Sequence, residues 1–406
     1  MKTDIHPLYH ELPKIDQAES ILRNCVHCGF CTATCPTYQV LGDERDSPRG
    51  RIYLIKQMLE TGKVTEASQT HLDRCLTCRS CETTCPSGVE YGKLLDISRD
   101  IMDKQLPRNF KQRLLRTALR QVLPYPNRFG PLLKLGQLSR PLLPPVLKAK
   151  VPATAATRVT PKASPTTTGL NRKMLVLAGC AQSVATPNTN QAAARVLAKL
   201  GIELITAPKA GCCGAVSYHL GAHDEGLDFM RRNIDAWWPY VEQGVEAIIS
   251  SASGCGVMIH EYAELLAHDS DYADKAAKIS ALAKDLTQVI EAEPLETLDI
   301  KVDEKLAVHC PCTLQHGLGL SGSVERIMLR LGARLARTED GHLCCGSAGT
   351  YSITQPALSQ TLKAKKLKAL TVDNPEKIVT ANVGCQLHLS DNQQAPVSHW
   401  IELLDQ

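Results

Sequence analysis

Apolar residues follow two rhythms along the chain. In the first third the spacing is helical. SPRGRIYLIKQMLETGK (47–63) places Ile52, Leu54, Ile55, Met58 and Leu59 on one helical face, and YGKLLDISRDIMDKQL (91–106) reads as a second helix. NFKQRLLRTALRQV (109–122) reads as a basic amphipathic helix. Beyond residue 172 short apolar runs alternate with helical stretches. MLVLAGC (174–180), AIISSASGC (247–255), KLAVHCPC (305–312) and IVTANVGC (378–385) read as buried strands, each ending at a cysteine. NQAAARVLAKLG (190–201) and SGSVERIMLRLG (321–332) read as helices with Gly near the C-terminus. Strand–helix alternation predicts α/β units, whose ligands collect beyond the carboxyl ends of the strands.

These α/β elements repeat. Cys180 is followed 32 positions later by Cys212-Cys213-Gly214, then by Cys255. Cys312 is followed 32 positions later by Cys344-Cys345-Gly346, then by Cys385. Equal offsets and a shared Cys-Cys-Gly point to an internal duplication.

Cysteine is the compositional anomaly, with 17 in 406 residues. The number is odd, and the start, MKTDIHPLYHELPKIDQ, has no apolar core of a signal peptide. Reduced thiols of a cytoplasmic protein, free to bind metal, are therefore expected rather than a secreted disulfide framework. Only four Phe and three Trp are present, so aliphatic side chains must fill most of the cores. No apolar run approaches the roughly 18 residues of a membrane-spanning helix. The net charge of +4 hides an asymmetry, because Lys104 to Ile202 holds 17 Lys and Arg and no Asp or Glu. Such a block suits an acidic partner or an anionic membrane surface, and equally a solvated basic face. VPATAATRVTPKASPTTTG (151–169) has linker composition. The expected organisation is a cysteine-rich part at 1–103, a basic helix and Pro/Ala/Thr-rich linker at 104–171, and repeats at 172–300 and 301–406.

The N-terminal cysteines carry the strongest signal. Cys25-x2-Cys28-x2-Cys31-x3-Cys35-Pro36 and Cys75-x2-Cys78-x2-Cys81-x3-Cys85-Pro86 are the bacterial ferredoxin spacing given twice. A tight CxxCxxC loop wraps three corners of a [4Fe–4S] cube, and the fourth cysteine turns away to the other cluster. One cluster is assigned Cys25, Cys28, Cys31 and Cys85; the other takes Cys75, Cys78, Cys81 and Cys35. Structural zinc favours pairs of cysteines over four-cysteine runs. His27, inside the first loop, is read as a surface or hydrogen-bonding residue, since cysteine already fills the sites. The helical insert between the motifs predicts an α-helical ferredoxin domain.

In the repeats, adjacent cysteines joined by one upstream and one downstream thiol make a metal-competent corner, or else buried cysteines kept for packing. The repeat resembles the cysteine-rich CCG domain of heterodisulfide reductases and of iron–sulfur subunits of flavoenzyme complexes. In those reductases the domain ends in a CxxC pair. Here Met258 and His388 stand where the second cysteine would be, which argues against a disulfide-cleaving site. Cys310, Cys312, Cys344, Cys345 and Cys385 are the better candidates for a further cluster; Cys180, Cys212, Cys213 and Cys255 follow.

Nearly end to end, the chain resembles the iron–sulfur subunits of bacterial glycolate oxidases. CVHCGFCTATCPTYQVLGDE, SPRGRIYLIKQ, LTCRSCETTCPSGV, DAWWP, GCCGAVSYHL, HCPCTLQH, CCGSAGTY and ANVGCQLHL carry that resemblance. It implies a two-[4Fe–4S] electron-transfer subunit that works with flavin-binding subunits on glycolate, with D-lactate a further candidate substrate. As a relay the chain is expected to pass electrons to a quinone-like acceptor, and the acid-free, Leu-rich segment around 104–150 suits a peripheral place on the cytoplasmic face of the inner membrane. No catalytic residue, no GxGxxG dinucleotide loop, no flavin motif and no nucleic-acid partner is expected in this chain. Subunits of glycerol-3-phosphate and L-lactate oxidation share the architecture and are the alternatives, with a heterodisulfide-reductase-like enzyme behind them.

Overall fold

The computed structural model describes residues 1–142, 151, 170–390 and 394–406. The linker expected at 151–169 lies, Val151 apart, outside the described residues.

The N-terminal part folds as helices around one apolar core. Pro48–Thr61 forms because Ser47 accepts a bond from the Gly50 amide and Pro48 takes the first position, where no N–H is needed. Ile52, Ile55, Met58 and Leu59 pack with Ile15, Leu22, Leu94 and Leu95, the last two from the helix Tyr91–Gln105. Leu54 is only half-buried. The helix instead buries Arg51, which is 1% exposed. Its guanidinium donates to His71 O (2.7 Å) and Thr37 Oγ1 (3.1 Å), and it faces Asp46 at 3.4 Å. His71 and Arg74 hold the same carboxylate at 3.0 and 2.9 Å, as a buried charge requires.

Phe110–Val122 is the expected amphipathic helix, capped by Asn109, and Pro126–Ser139 follows it. Of the first helix only Leu119 is fully buried, and Phe110, Leu114, Leu135, Leu138 and Leu142 are exposed. Among the described residues no helix is long and apolar enough to cross a membrane.

Among the remaining described residues are two four-stranded parallel sheets of one topology. β1 (Arg172–Leu177), β2 (Ile202–Ile205), β3 (Ile248–Ser250) and β4 (Ala283–Asp285) run in the order β2-β1-β3-β4. β5 (Lys305–His309), β6 (Arg334–Leu335), β7 (Lys377–Thr380) and β8 (Val397–His399) run β6-β5-β7-β8. The helices Pro187–Lys199 and Ser323–Arg330 join β1 to β2 and β5 to β6. The strands stop earlier than expected. β3 ends where the Ser250 hydroxyl folds back on Ala252, and Cys255 and Cys385 sit on the helices Ser253–His260 and Val383–Leu389.

One core runs through both repeats, joining Val196, Ile249 and Val289 to Val308, Ile327 and Trp400. Ser253 N donates to Ala381 O (3.2 Å), and His399 Nε2 lies 2.8 Å from Ser251 O. The helical part docks over both sheets through Arg79–Glu261 (2.5 Å), Lys93–Glu264 (2.8 Å) and the Tyr351 hydroxyl on Arg74 O (3.0 Å).

Candidate iron–sulfur centres

The two CxxCxxC loops have one backbone path. Each turns through the left-handed region at the same two places: His27 (φ 56°) and Gly29 (φ 86°), then Thr77 (φ 54°) and Arg79 (φ 59°). Glycine adopts this φ at 29 without strain. Arg79 bears the strain, and its side chain ties the second loop to Glu261 of the first repeat. The turn aims amides at sulfur, with Thr77 N donating to Cys75 Sγ at 3.4 Å. The Thr37 hydroxyl lies 3.3 Å from Cys35 Sγ.

Two cavities open beside these loops. One is lined by Cys25, Cys28, Cys31, Cys81 and Cys85. The other is lined by Cys35, Cys75, Cys78 and Cys81. Each holds three cysteines of one motif and the last of the other, and Cys81 lines both. Tyr91 lines both, and its buried hydroxyl faces Cys75. Burial, reinforced by neighbouring thiols, pushes Cys78 and Cys81 well above the usual thiol range and Cys31 up to about 11. Metal binding therefore displaces protons here. All eight thiols are free, and Arg51 beside Cys35 and Cys75 supplies counter-charge. This donor set fits [4Fe–4S] clusters. His27 borders the first cavity, its Nε2 buried without a partner among the described residues.

Each repeat gathers its own thiols beyond the carboxyl ends of its strands. In the first, Cys180 and Cys212 Sγ are 3.5 Å apart. Hydrogen bonds from Cys180 and Cys213 hold the Cys212 thiol well below its usual range. Asn233 donates to Cys212 O (2.8 Å) and the Tyr262 hydroxyl to Cys213 O (2.9 Å). In the second, Cys312 and Cys344 Sγ are 3.8 Å apart. Ligand atoms of Cys345, Cys385 and His309 all lie within 4.8 Å of one another, every one buried. Asn382 Nδ2 donates to Cys385 Sγ (3.5 Å) and Gly346 N to Cys344 Sγ (3.4 Å). Cys310 packs against the core shared by the repeats.

The two corners have different neighbours. Cys312 and Cys344 share one packed cluster with Cys78 and Leu76 of the second ferredoxin loop. Cys180 and Cys212 pack instead with Phe229 and Tyr125, next to the basic helices.

Comparison with known proteins agrees with this geometry. The 4Fe-4S dicluster domain family matches residues 21–89, and the cysteine-rich (CCG) domain family matches 174–260 and 306–390. The glycolate oxidase iron-sulfur subunit of Escherichia coli K12 is 54% identical over 100% of this chain and 99% of its own length. The chain belongs to the glycolate oxidase iron–sulfur subunit family. A probable glycolate oxidase iron-sulfur subunit of Bacillus subtilis is 31% identical over 93% of this chain and 89% of its own length. The lactate utilization protein A of the same species is 23% identical, over 57% of this chain and 99% of its own length.

As a member of that family the chain is an iron–sulfur electron-transfer subunit of an oxidoreductase complex, and other subunits are implied. One glycine run, GLGLSG at 317–322, does have the spacing of a dinucleotide loop. Its setting differs: β5 ends at His309, and a π-helical turn, Thr313–Gly317, intervenes. Gly317 is small because a Cβ there would lie 2.6 Å from Val257 Cγ2 of the first repeat. Sequence reasoning passed over His309 and the buried Lys366. A histidine closing a strand just before Cys310 was the available signal for the first; nothing in the sequence marked the second.

Proposed function

We propose that this subunit takes electrons from flavin-binding partners that oxidise glycolate to glyoxylate and delivers them to a quinone-like acceptor. D-lactate is a second substrate of the same flavin chemistry. The working units are the ferredoxin part at 1–103, the basic segment at 104–171 and the repeats at 172–300 and 301–406. Cys25, Cys28, Cys31 and Cys85 hold one [4Fe–4S] cluster, and Cys75, Cys78, Cys81 and Cys35 hold the other. The observation that carries this reading is the pair of cysteine-lined cavities that share Tyr91 and Cys81. A cluster stores one electron at a time, whereas a flavin takes two from a 2-hydroxy acid and releases them singly. Around the cavities the protein contributes thiolates, amide and hydroxyl donors, the buried Arg51 cation and an apolar wall.

A third centre is held by Cys312, Cys344, Cys345 and Cys385, with His309 and Cys310 beside it. Its packing against Cys78 supports this choice over the first-repeat thiols. The exposed leucines and cations of residues 110–142 rest on the anionic cytoplasmic face of the inner membrane. Iron and sulfide analysis of anaerobically purified protein tests the ligand sets. About twelve irons per chain are expected, against about eight if the ferredoxin cavities alone are filled. Zinc with no visible absorption would refute the reading.

A further inference from the structure

The internal duplication allows each residue around one thiol corner to be compared with its counterpart around the other. The glycine of each Cys-Cys-Gly fixes the register. A Cβ on Gly214 would lie 2.7 Å from Gly226 O, and one on Gly346 would lie 2.6 Å from Ser359 O. Gly226 and Ser359 are thus equivalent, on the helices His223–Glu242 and Pro356–Leu370. Seven residues further along each helix stand Asn233 and Lys366.

Both are buried, and both serve the corner in different ways. Asn233 is neutral, donates to Cys212 O and accepts from the Gly211 amide (2.8 Å). Lys366 is 3% exposed, and its ammonium donates to Asp340 O (2.8 Å) and Gly341 O (3.2 Å). Among the described residues it makes no salt bridge within 4 Å. The two carbonyls it holds lie four and three residues before Cys344. Burial lowers its pKa, and the Cys345, Cys344 and Cys310 thiols, with the Asp340 carboxylate, act against that. A buried ammonium without a carboxylate partner is costly. It persists where an anion of another kind is present. Four thiolates on an iron–sulfur core are such an anion. The first repeat has a cation of its own, Arg232 near Cys212, but that side chain is exposed and its charge is screened by water.

We propose that Lys366 is the resident counter-cation of the second-repeat centre, a positioning residue that makes that corner, and not its sister, an electron acceptor. This rests on the reading that the second corner holds a cluster. On reduction by a low-potential dye, one electron is added, no bond forms or breaks and no proton moves. The ammonium stabilises the state with the added negative charge, more strongly than an exposed cation would because it is shielded from water.

The experiment uses the anaerobically purified full chain as wild type, Lys366→Asn and Lys366→Arg. Asn copies the sister repeat and keeps a polar side chain; Arg keeps the charge. Iron per chain is measured, and each centre is titrated against dyes by electron paramagnetic resonance. In Lys366→Asn the two ferredoxin signals should keep their potentials. The third should be at least tenfold harder to reduce, about 59 mV for one electron. Lys366→Arg should stay within threefold of wild type. Loss of the third centre from Lys366→Asn alone, with Lys366→Arg retaining it, also supports the assignment. A third centre of unchanged potential in Lys366→Asn overturns it and leaves the cluster reading standing, as does loss of that centre from both variants. Wild-type protein with two signals and about eight irons overturns the cluster reading, and the role of Lys366 falls with it.

Discussion

His399 makes the stability of the paired repeats depend on pH. It closes β8, is fully buried, and uses both ring nitrogens. Nδ1 accepts from the Ile401 amide (3.3 Å), and Nε2 donates to Ser251 O of the first repeat (2.8 Å). Only the neutral ring can do both. Burial accordingly pulls its pKa from 6.5 down to about 4. In the unfolded chain His399 binds a proton as pH falls through about 6.5, while the folded chain resists until about 4. Stability contributed by the neutral ring is therefore complete above 6.5 and is lost progressively below it. Between pH 7.5 and 5.5 the loss from this residue is about 1.4 kcal/mol. His399→Asn keeps an acceptor for Ile401 and removes the titration. Urea unfolding of the anaerobic protein, followed by circular dichroism at the two pH values, reads the effect. The variant should be less stable at pH 7.5, since the Ser251 bond is gone, and its deficit should shrink by about 1.4 kcal/mol at pH 5.5. Parallel losses in the two proteins would refute the reasoning.

Other outcomes follow from the same geometry. Cys78→Ser should lose about four irons from the second ferredoxin cavity; unchanged iron would sink that ligand set. Gly346→Ala forces a left-handed alanine and a 2.6 Å approach to Ser359 O, so thermal unfolding should show a loss of roughly 3 kcal/mol or more, with Gly42→Ala, which meets nothing, costing clearly less. Asp285 is buried with one carboxylate oxygen unpartnered, and burial raises it to about 6. The neutral acid is the form the fold prefers, so Asp285→Asn should stabilise the protein above pH 6, a gain that disappears below pH 4. Leu135→Asp with Leu138→Asp should abolish salt-sensitive binding to anionic vesicles; undiminished binding would assign the basic helices to a protein partner instead.

The sequence was most readable where chemistry needs a fixed spacing. CxxCxxCxxxCP occurs twice, and the fold brings each fourth cysteine to the cavity of the opposite motif. The duplication was readable from the paired Cys-Cys-Gly runs, because the close approach of Gly214 and Gly346 to a helix backbone leaves no room for a side chain. Less visible were residues whose role depends on partners far along the chain. Arg51 sits among the polar positions of its helix, and only the fold shows that Asp46 and His71 enclose it. Lys366 belongs to the run KAKKLKAL, in which a lysine is ordinarily solvated. Strand ends were also overextended, because a serine hydroxyl bonding its own backbone competes with the ladder and leaves no mark on the hydrophobic pattern.

The most direct test is made in the assembled complex, with wild type, Cys28→Ser and Cys81→Ser compared for flavin bleaching by glycolate and for reduction of a quinone analogue. The chain alone should reduce no dye with glycolate. In complex, each variant should keep the bleaching and lose acceptor reduction. Loss of flavin bleaching while the complex stays assembled, or acceptor reduction that continues at the wild-type rate, would contradict a downstream relay in this subunit.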